Sequence, residues 1–430
     1  MLSGTPLGVE KVSYLGGTQL RITGTAAADA ITVSRTSTGV RLGNSGGWTR
    51  KISGTFNSIT IDGGLGSDSI IVGATVKTPA IINGAEGNDY IVGGGGNDRL
   101  YGGAGRDRIN GAAGNDTLVS VGGGTRDSLV GGDGRDSFWA DTTDRTSATR
   151  DEWIAAAVHQ VGTFLSLSPS ASSTAGVSKE ALGQDLADPT LTSSGLTYHS
   201  FADHPLFSTA GPRPGDVNQG AVGDCYYLAV LSSVAKVDPE LIRQSVVDLG
   251  DGTFAVRFFQ GDTAQYVRVD ADLAAYSGGS LAYAGFGGQG SIWVAVMEKA
   301  FTTFRRGAGT YASISGGWMN EVYEAMGRDA DAHYSSVSAS WLIDAIRTDL
   351  KAGKSVTYAV NKPNGAPLIA AHAYMVDAVI CNSAGKPTSI RLRNPWGIDG
   401  AGSDGKNDGY VTITAAQAQA AFLGITSAWV

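Results

Sequence analysis

Residues 84–119 read GAEGNDYIV, GGGGNDRLY, GGAGRDRIN and GAAGNDTLV, four nine-residue units laid end to end. Two more, GGGTRDSLV at 122–130 and GGDGRDSFW at 131–139, follow a two-residue insertion, and GGLGSDSII stands upstream at 63–71. The sixth position of every unit is acidic: Asp68, Asp89, Asp98, Asp107, Asp116, Asp127 and Asp136. The eighth is apolar: Ile70, Ile91, Leu100, Ile109, Leu118, Leu129 and Phe138. A flexible glycine-rich linker has no reason to keep an acid and a bulky apolar residue in phase through so many copies. One apolar side chain at a fixed interval suits a short strand pointing it inward, while glycine permits tight turns and close backbone approach. The period predicts stacked turns, an all-β parallel β-roll or solenoid, over 63–140.

Stacking such turns would align carboxylates with main-chain carbonyls, a set of hard oxygen donors that suits Ca²⁺ better than Mg²⁺ or zinc. The segment resembles the calcium-binding β-roll of the repeats-in-toxin (RTX, haemolysin-type) proteins. That resemblance implies two units per turn and sites shared between a unit and the next but one, so that Asp89 pairs with Asp107 and Asp98 with Asp116. The seven aspartates are its expected metal ligands, and Thr125 stands where one unit should have glycine. Upstream, ITGTAAADAITVSR (22–35) and NSITIDGG (57–64) alternate polar and apolar residues and predict a β cap over 1–62.

Downstream the period lapses at Asp141, and 141–184 reads as a transition and linker; SLSPSASSTAGVS (166–178) is small, polar and interrupted by proline. A second domain is expected over 185–430. A chain of 430 residues has room for two such cores, and its 42% hydrophobic content excludes wholesale disorder. Net charge is −8, and between Asp62 and Asp144 there are 12 acidic residues against 6 basic ones. That balance argues against a nucleic-acid partner. Two cysteines cannot build a disulfide framework, and calcium is one substitute for it outside the cell. The first residues, MLSGTPLGVEKVSYLGG, lack a basic segment followed by an apolar run, and no stretch is long and apolar enough to span a membrane. The mature chain is expected to be soluble. Because cytosolic calcium is too low for sites of this kind, the expected location is secreted or at the surface of a bacterial cell, with the cytoplasm as the alternative.

The chemistry is expected beyond the linker, at QGAVGDCYYL (219–228). Apolar residues at 228, 231, 234 and 235 follow one helix face, which puts Cys225 on the first turn. Unpaired N–H groups and the helix dipole at that position favour a thiolate. Gly220 and Gly223 leave space for a substrate carbonyl, and the Gln219 amide is placed to donate to an oxyanion. Such a nucleophile needs a base. His159, His199, His204 and His333 stand in contexts that suit solvated or structurally bonded rings. His372 opens the strand-like HAYMVDAVIC (372–381), which is followed by the turn NSAGKP and then by TSIRLRN, ending at Asn394. A hairpin centred on residue 383 makes His372 and Asn394 cross-strand neighbours, and the Asn oxygen can then hold the imidazole tautomer. Cys381, late in an apolar strand, suits a buried structural thiol; a Cys225–Cys381 disulfide stays open at this point.

With QGAVGDC (219–225), SIWVAVMEKAF (291–301), SGGWMNEVYEAMG (315–327), HAY (372–374) and RNPWG (393–397) in order, residues 200–430 resemble a calpain-type cysteine peptidase. The resemblance implies an α+β papain-like fold in two lobes: a mostly helical one over about 200–335 and a β-rich one over about 336–430. It implies Cys225 as nucleophile, His372 as general base, Asn394 as the group orienting it, Gln219 as oxyanion donor and Trp396 as a cover over the His–Asn bond. It further implies that Gly316 or Gly317 offers backbone hydrogen bonds to an extended protein or peptide substrate. Tyr226 replaces the family's usual Trp, and Ala371 its usual Gly before the histidine.

The leading expectation is a calcium-stabilised cysteine endopeptidase with Ca²⁺ as its cofactor. Two other readings compete with it. One is a calcium-dependent adhesive or surface-binding module whose peptidase-like domain is silent. The other is a thiol acyltransferase passing its acyl group to amines.

Overall fold

A computed structural model of the chain describes residues 7–14, 16–44, 46–154, 157–165, 186–400 and 406–430. The expected linker at 166–178 lies outside the described residues. The chain divides into two compact units, one built on the residues up to Phe164 and the other on the residues after Gly183.

The first unit is a β-solenoid of about five turns. Each nonapeptide contributes one short strand, and successive units alternate between two sheets. Arg99–Tyr101 pairs in parallel with Ala80–Asn83 and Thr117–Val119 on one side, while Arg108–Ala113 pairs with Tyr90–Val92 and Ser128–Asp133 on the other. This alternation makes the structural repeat twice the sequence repeat. The eighth-position residues therefore form two facing columns. Leu100, Leu118 and Phe138 stack in one sheet, continued by Ile82 from outside the repeats, and Ile70, Ile91, Ile109 and Leu129 in the other, all buried. Parallel strands need both their hydrogen-bonding edges covered, and each turn supplies this for the next.

The solenoid extends past both expected boundaries. Upstream, Gly17–Thr23 and Ser58–Asp62 already stack in parallel as part of the first sheet, and Ala30–Thr36 pairs with Ser69–Val72 in the second. The antiparallel strand Gly8–Tyr14 closes one end. Downstream, Val158–Val161 adds to Ser137–Asp141 and Arg145–Ser147 to Ser128–Asp133, so the expected boundary at 140 falls within a strand of the unit.

The second unit has two lobes. The helices Cys225–Val237, Pro239–Arg243, Trp293–Phe304 and Met319–Ala325 form the first. They pack with an antiparallel set, Val246–Asp248, Thr253–Gln260 and Thr263–Asp270, that the expected helical lobe did not include. The second lobe is a six-stranded antiparallel sheet in the order Ala330–His333, Phe422–Ala428, Ser355–Val360, His372–Cys381, Pro387–Arg393 and Tyr410–Thr414. The helix Ala339–Ala352 presses Leu342, Ile343 and Ile346 onto the apolar core of this lobe.

Glycine is obligatory at the fourth position of most units. Gly87 and Gly105 have φ of 142° and 115°, and a Cβ on either would overlap the carbonyl oxygen of the fourth-position glycine one turn back. Gly124 has φ of 72° but open space around it. Gly87→Ala should therefore cost about 2–4 kcal/mol, combining left-handed strain with overlap, whereas Gly124→Ala should cost only about 1 kcal/mol. Thermal melts of the β signal by circular dichroism measure both, and equal costs would contradict the close-approach argument.

Candidate functional site

Cys225 is the first residue of the Cys225–Val237 helix, whose Leu228, Leu231, Val234 and Ala235 are buried. The helix starts where the Tyr227 and Leu228 N–H groups bond the Asp224 carbonyl. The loop before it is held at three points. Gln219 N–H donates to Pro395 O at 2.7 Å, Ala221 N–H to Ala282 O at 2.8 Å, and Gly316 N–H to Gly223 O at 2.8 Å. A Cβ on Gly220 would overlap the carbonyl oxygens of Ala282 and Tyr283, so only glycine lets the loop lie this close.

The back of the same helix rests on the β lobe. Ser233 Oγ accepts the Val356 N–H at 3.0 Å, and the buried Arg393 guanidinium donates to Val217 O at 3.0 Å and to Ser232 Oγ at 3.4 Å. These contacts bring the two lobes together at the cysteine. The Cys225 sulfur receives the Ala373 N–H, directly beside His372.

His372 begins its strand, and its Nε2 lies 2.9 Å from Asn394 Oδ1. An amide oxygen only accepts, so Nε2 carries the proton and Nδ1 is left with a lone pair. Asn394 is fully buried, and its Oδ1 also takes the Trp396 N–H at 3.1 Å. The Trp396 ring centroid lies 5.1 Å from that of His372. The hairpin register differs from expectation. Met375 faces Arg393, and the pairing shifts between Val376 and Ala378 and again between Ile380 and Cys381. Extended by one residue, this register sets Asn394 opposite Tyr374, so His372 reaches it diagonally. Ala371 has φ of 50°, a left-handed conformation that explains why glycine is the easier residue there.

Burial decides the charge state of the pair. It pushes the Cys225 thiol up to about 11, outweighing the N–H groups of Ala373 and Tyr226. It also pulls the His372 ring down to about 4, against the opposing bond from Asn394. Both shifts favour the uncharged forms, against the thiolate that the helix end was expected to favour.

Other expected residues are placed less simply. Gln219 Nε2 donates to Val222 O at 2.7 Å and to Asp224 Oδ1 at 3.2 Å, so both amide protons already have acceptors. The Gly316 N–H is taken by Gly223, and Arg305 Nη1 donates to Gly316 O at 2.8 Å. Gly317 has no room for a Cβ beside the Tyr226 ring. Cys381 is exposed rather than buried, because its strand runs past the end of the core, and both cysteines are free thiols. His204 Nδ1 lies 2.8 Å from Gly290 O, and His159 is buried against Trp139. Sequence reasoning missed Arg393 and the Ala373 N–H, whose roles come from contacts across the fold and leave no local pattern.

In the solenoid the aspartates form two ladders. Asp89 N–H donates to Asp107 Oδ1 and Asp98 N–H to Asp116 Oδ1, both at 2.8 Å. The first ladder continues from Asp29 through Asp68, Asp89, Asp107 and Asp127 to Asp144, and the second from Asp98 through Asp116 and Asp136 to Glu152. The other carboxylate oxygen of Asp68, Asp116, Asp127 and Asp136 is buried and accepts no hydrogen bond. Desolvation pushes the Asp116 and Asp127 carboxyls up to about 8. A Cβ on Gly63 would overlap both Asp68 Oδ2 and Gly84 O, and one on Gly111 both Asp116 Oδ2 and Gly131 O. An unsatisfied carboxylate oxygen and a carbonyl therefore converge over each of these glycines, a donor set that fits calcium. Among the described residues no group of three or more His, Cys, Asp or Glu side chains could hold a metal ion, so carbonyls must complete any such site. Asp98 differs, since both its oxygens accept backbone N–H groups, from Ala80 and Gly94.

Comparison with known proteins follows the same division. The profile of the calpain family cysteine proteases matches residues 193–419, more than half of the chain, and that of the RTX calcium-binding nonapeptide repeat matches residues 83–118 and 121–144. Calpain-A of Drosophila melanogaster is 30% identical over 223 residues, which is 47% of this chain and 26% of that protein. The calpain-1 catalytic subunit of Bos taurus is 30% identical over 224 residues, 48% of this chain and 31% of the subunit. The Bos taurus calpain-2 catalytic subunit is 28% identical over 211 residues, 45% and 30% of the two chains. The chain belongs to the calpain family of cysteine proteases, and its N-terminal repeats are RTX calcium-binding repeats. It spans about a quarter to a third of the length of these curated relatives. Among the described residues, no helix is long and apolar enough to cross a membrane.

Two pH effects follow from the neutral pair. In a Cys381→Ser background and without substrate, alkylation of Cys225 by iodoacetamide should be slow near neutrality and climb through the alkaline range toward about 11. A rate already level from about pH 5 upward would reveal a resting thiolate instead. Because burial lowers His372 from 6.5 to about 4, the neutral ring contributes stability that is whole above 6.5 and lost as pH falls toward 4. His372→Gln should flatten that acid limb in denaturant titrations.

Proposed function

We propose that this chain is a calcium-stabilised cysteine endopeptidase that hydrolyses peptide bonds through Cys225, His372 and Asn394. The observation that carries the reading is an imidazole, His372, whose Nε2 is bonded to the buried Asn394, on the residue next to Ala373, whose N–H faces the thiol of Cys225 at a helix N-terminus.

The chemistry follows from the protonation states. With Nε2–H held by Asn394, His372 Nδ1 accepts the thiol proton as the sulfur attacks the substrate carbonyl carbon. Starting from a neutral pair, this transfer accompanies the attack rather than preceding it. The tetrahedral oxyanion is stabilised by the N–H groups of the helix start, and by the Gln219 amide when it shares the long bond it now makes to Asp224. His372 then returns the proton to the departing amine as the C–N bond breaks, leaving a thioester. Water, deprotonated by the same nitrogen, attacks the thioester and releases the acid and the thiol. Trp396 lies beside the His–Asn bond and limits its access to water.

Bound calcium supplies positive charge to the buried carboxylate ladders. Asp68, Asp116, Asp127 and Asp136, with carbonyls of neighbouring turns, are the residues that hold it; Asp89, Asp107 and Asp98 occupy the same ladders. Calcium-binding RTX repeats, typical of secreted bacterial proteins, support a location outside the cell.

Two outcomes check this reading. Cys225→Ala should abolish hydrolysis of casein in calcium while wild type is active; residual wild-type activity in the variant would contradict it. In a calcium titration the β signal of the solenoid should rise at roughly 10⁻⁴–10⁻³ M, and a chelator should reverse the change. No response up to several times that range would remove calcium from the account.

A further inference from the structure

The loop that carries Gly316 and Gly317 is anchored by a residue that the mechanism above does not use. Arg305 follows the Trp293–Phe304 helix, and its side chain is only 8% exposed. Four of its N–H groups are engaged. Nη1 donates to Ser313 O at 3.2 Å and to Gly316 O at 2.8 Å, while Nε and Nη2 donate to Glu321 Oε2 at 3.2 and 2.8 Å. The guanidinium carbon lies over the Tyr226 ring, 4.9 Å from its centroid, and the Tyr226 hydroxyl donates to Ile314 O at 3.0 Å. Arg305 and Tyr226 therefore hold the carbonyls of residues 313, 314 and 316 between them.

The loop is tied to the cysteine from both sides. Tyr226 is the residue after Cys225, and Gly223 O, two residues before it, accepts the Gly316 N–H at 2.8 Å. Gly316 is fully used: its N–H is on Gly223 and its carbonyl on Arg305. Gly317 is the reverse. Neither its N–H nor its carbonyl has a hydrogen-bond partner among the described residues. A Cβ on Gly317 would lie 2.6 Å from both Arg305 Nη2 and the Tyr226 ring, so the segment sits directly on this pair. An open donor and an open acceptor on a loop fixed beside a nucleophile form a pairing site for another extended chain.

The Gly316 carbonyl and the Gly317 N–H belong to one planar trans peptide group and point in opposite directions. Fixing the carbonyl on Arg305 thus fixes the direction of the N–H, turned away from the guanidinium. The charge-assisted bond also polarises the peptide group, which makes its N–H a stronger donor. We propose that Arg305 is a positioning residue that holds the Gly316–Gly317 peptide and presents the Gly317 N–H to a main-chain carbonyl of an extended substrate. The proposal rests on the reading of the chain as a Cys225 peptidase. Because the contact is to main chain, it selects extended segments of protein rather than a particular side chain.

Binding and turnover test the proposal separately. Calorimetric titration of Cys225→Ala with an unstructured casein peptide, in calcium, should give a Kd about tenfold weaker when Arg305→Ala is added, the scale of one charge-supported hydrogen bond. Arg305→Lys, which keeps a cation able to reach a carbonyl, should recover part of that loss; a lysine no better than alanine contradicts the anchoring role. A backbone scan excludes a merely structural effect. Each amide of the peptide is replaced in turn by an ester, whose carbonyl is a poorer acceptor. One position should weaken binding severalfold with Arg305 present and much less with Arg305→Ala. Equal costs at every position in both chains, an unchanged Kd in Arg305→Ala, or no peptide binding at all overturns the proposal. If Arg305→Ala does not fold, the same scan on Arg305→Lys against Arg305 decides. In turnover, Arg305→Ala should raise KM with kcat within about twofold, and a loss in kcat alone overturns the role. If the Arg305-dependent binding is found without any Cys225-dependent hydrolysis, the peptidase reading fails and the presentation of Gly317 stands; if hydrolysis is found and Kd does not move, only the presentation fails.

Discussion

The N-terminal unit depends on one repeated contact: a buried carboxylate accepts the backbone N–H of the acid one turn before it. A buried N–H needs a partner, and Asp Oδ1 supplies one at every turn from Asp68 to Asp144. The same arrangement creates an unfavourable term, because it stacks buried negative charge and leaves the second oxygen of Asp68, Asp116, Asp127 and Asp136 unsatisfied. Calcium removes that conflict. Glycine is required for the same reason, since only a residue without Cβ lets the carbonyl of one turn approach the carboxylate of another.

The peptidase unit meets the opposite electrostatic condition. Burial drives both the Cys225 thiol and the His372 ring toward neutrality. The helix N-terminus fixes the sulfur, the Ala373 N–H ties it to the strand that begins with His372, and Asn394 fixes which ring nitrogen is free. Arg393 and Ser233 hold the two lobes in contact behind these groups.

Much of this was legible in the residues. The solenoid was readable because its two requirements, an acid and an inward apolar side chain, recur at constant spacing. Its ends were not. Asp29, Asp144 and Glu152 continue the ladders without the glycine pattern, because the contact needs only a carboxylate at the right height. The Cys225 helix followed from apolar periodicity. Thr253–Gln260 escaped notice because it is buried on both faces along most of its length and so lacks alternation. His372 and Asn394 were matched through an assumed regular hairpin; the real one contains two irregularities, and the pair meets diagonally instead. The opposing effect of burial on the thiol was not legible, because desolvation appears only once the fold is known.

The most direct measurement of the catalytic reading is intact-mass and peptide-mapping spectrometry after exposure to a peptidyl epoxide in calcium. One adduct per chain, located on Cys225 and lost in His372→Ala, is the predicted result. Labelling confined to the exposed Cys381, or labelling of Cys225 at an undiminished rate without His372, would contradict a nucleophile activated by that histidine.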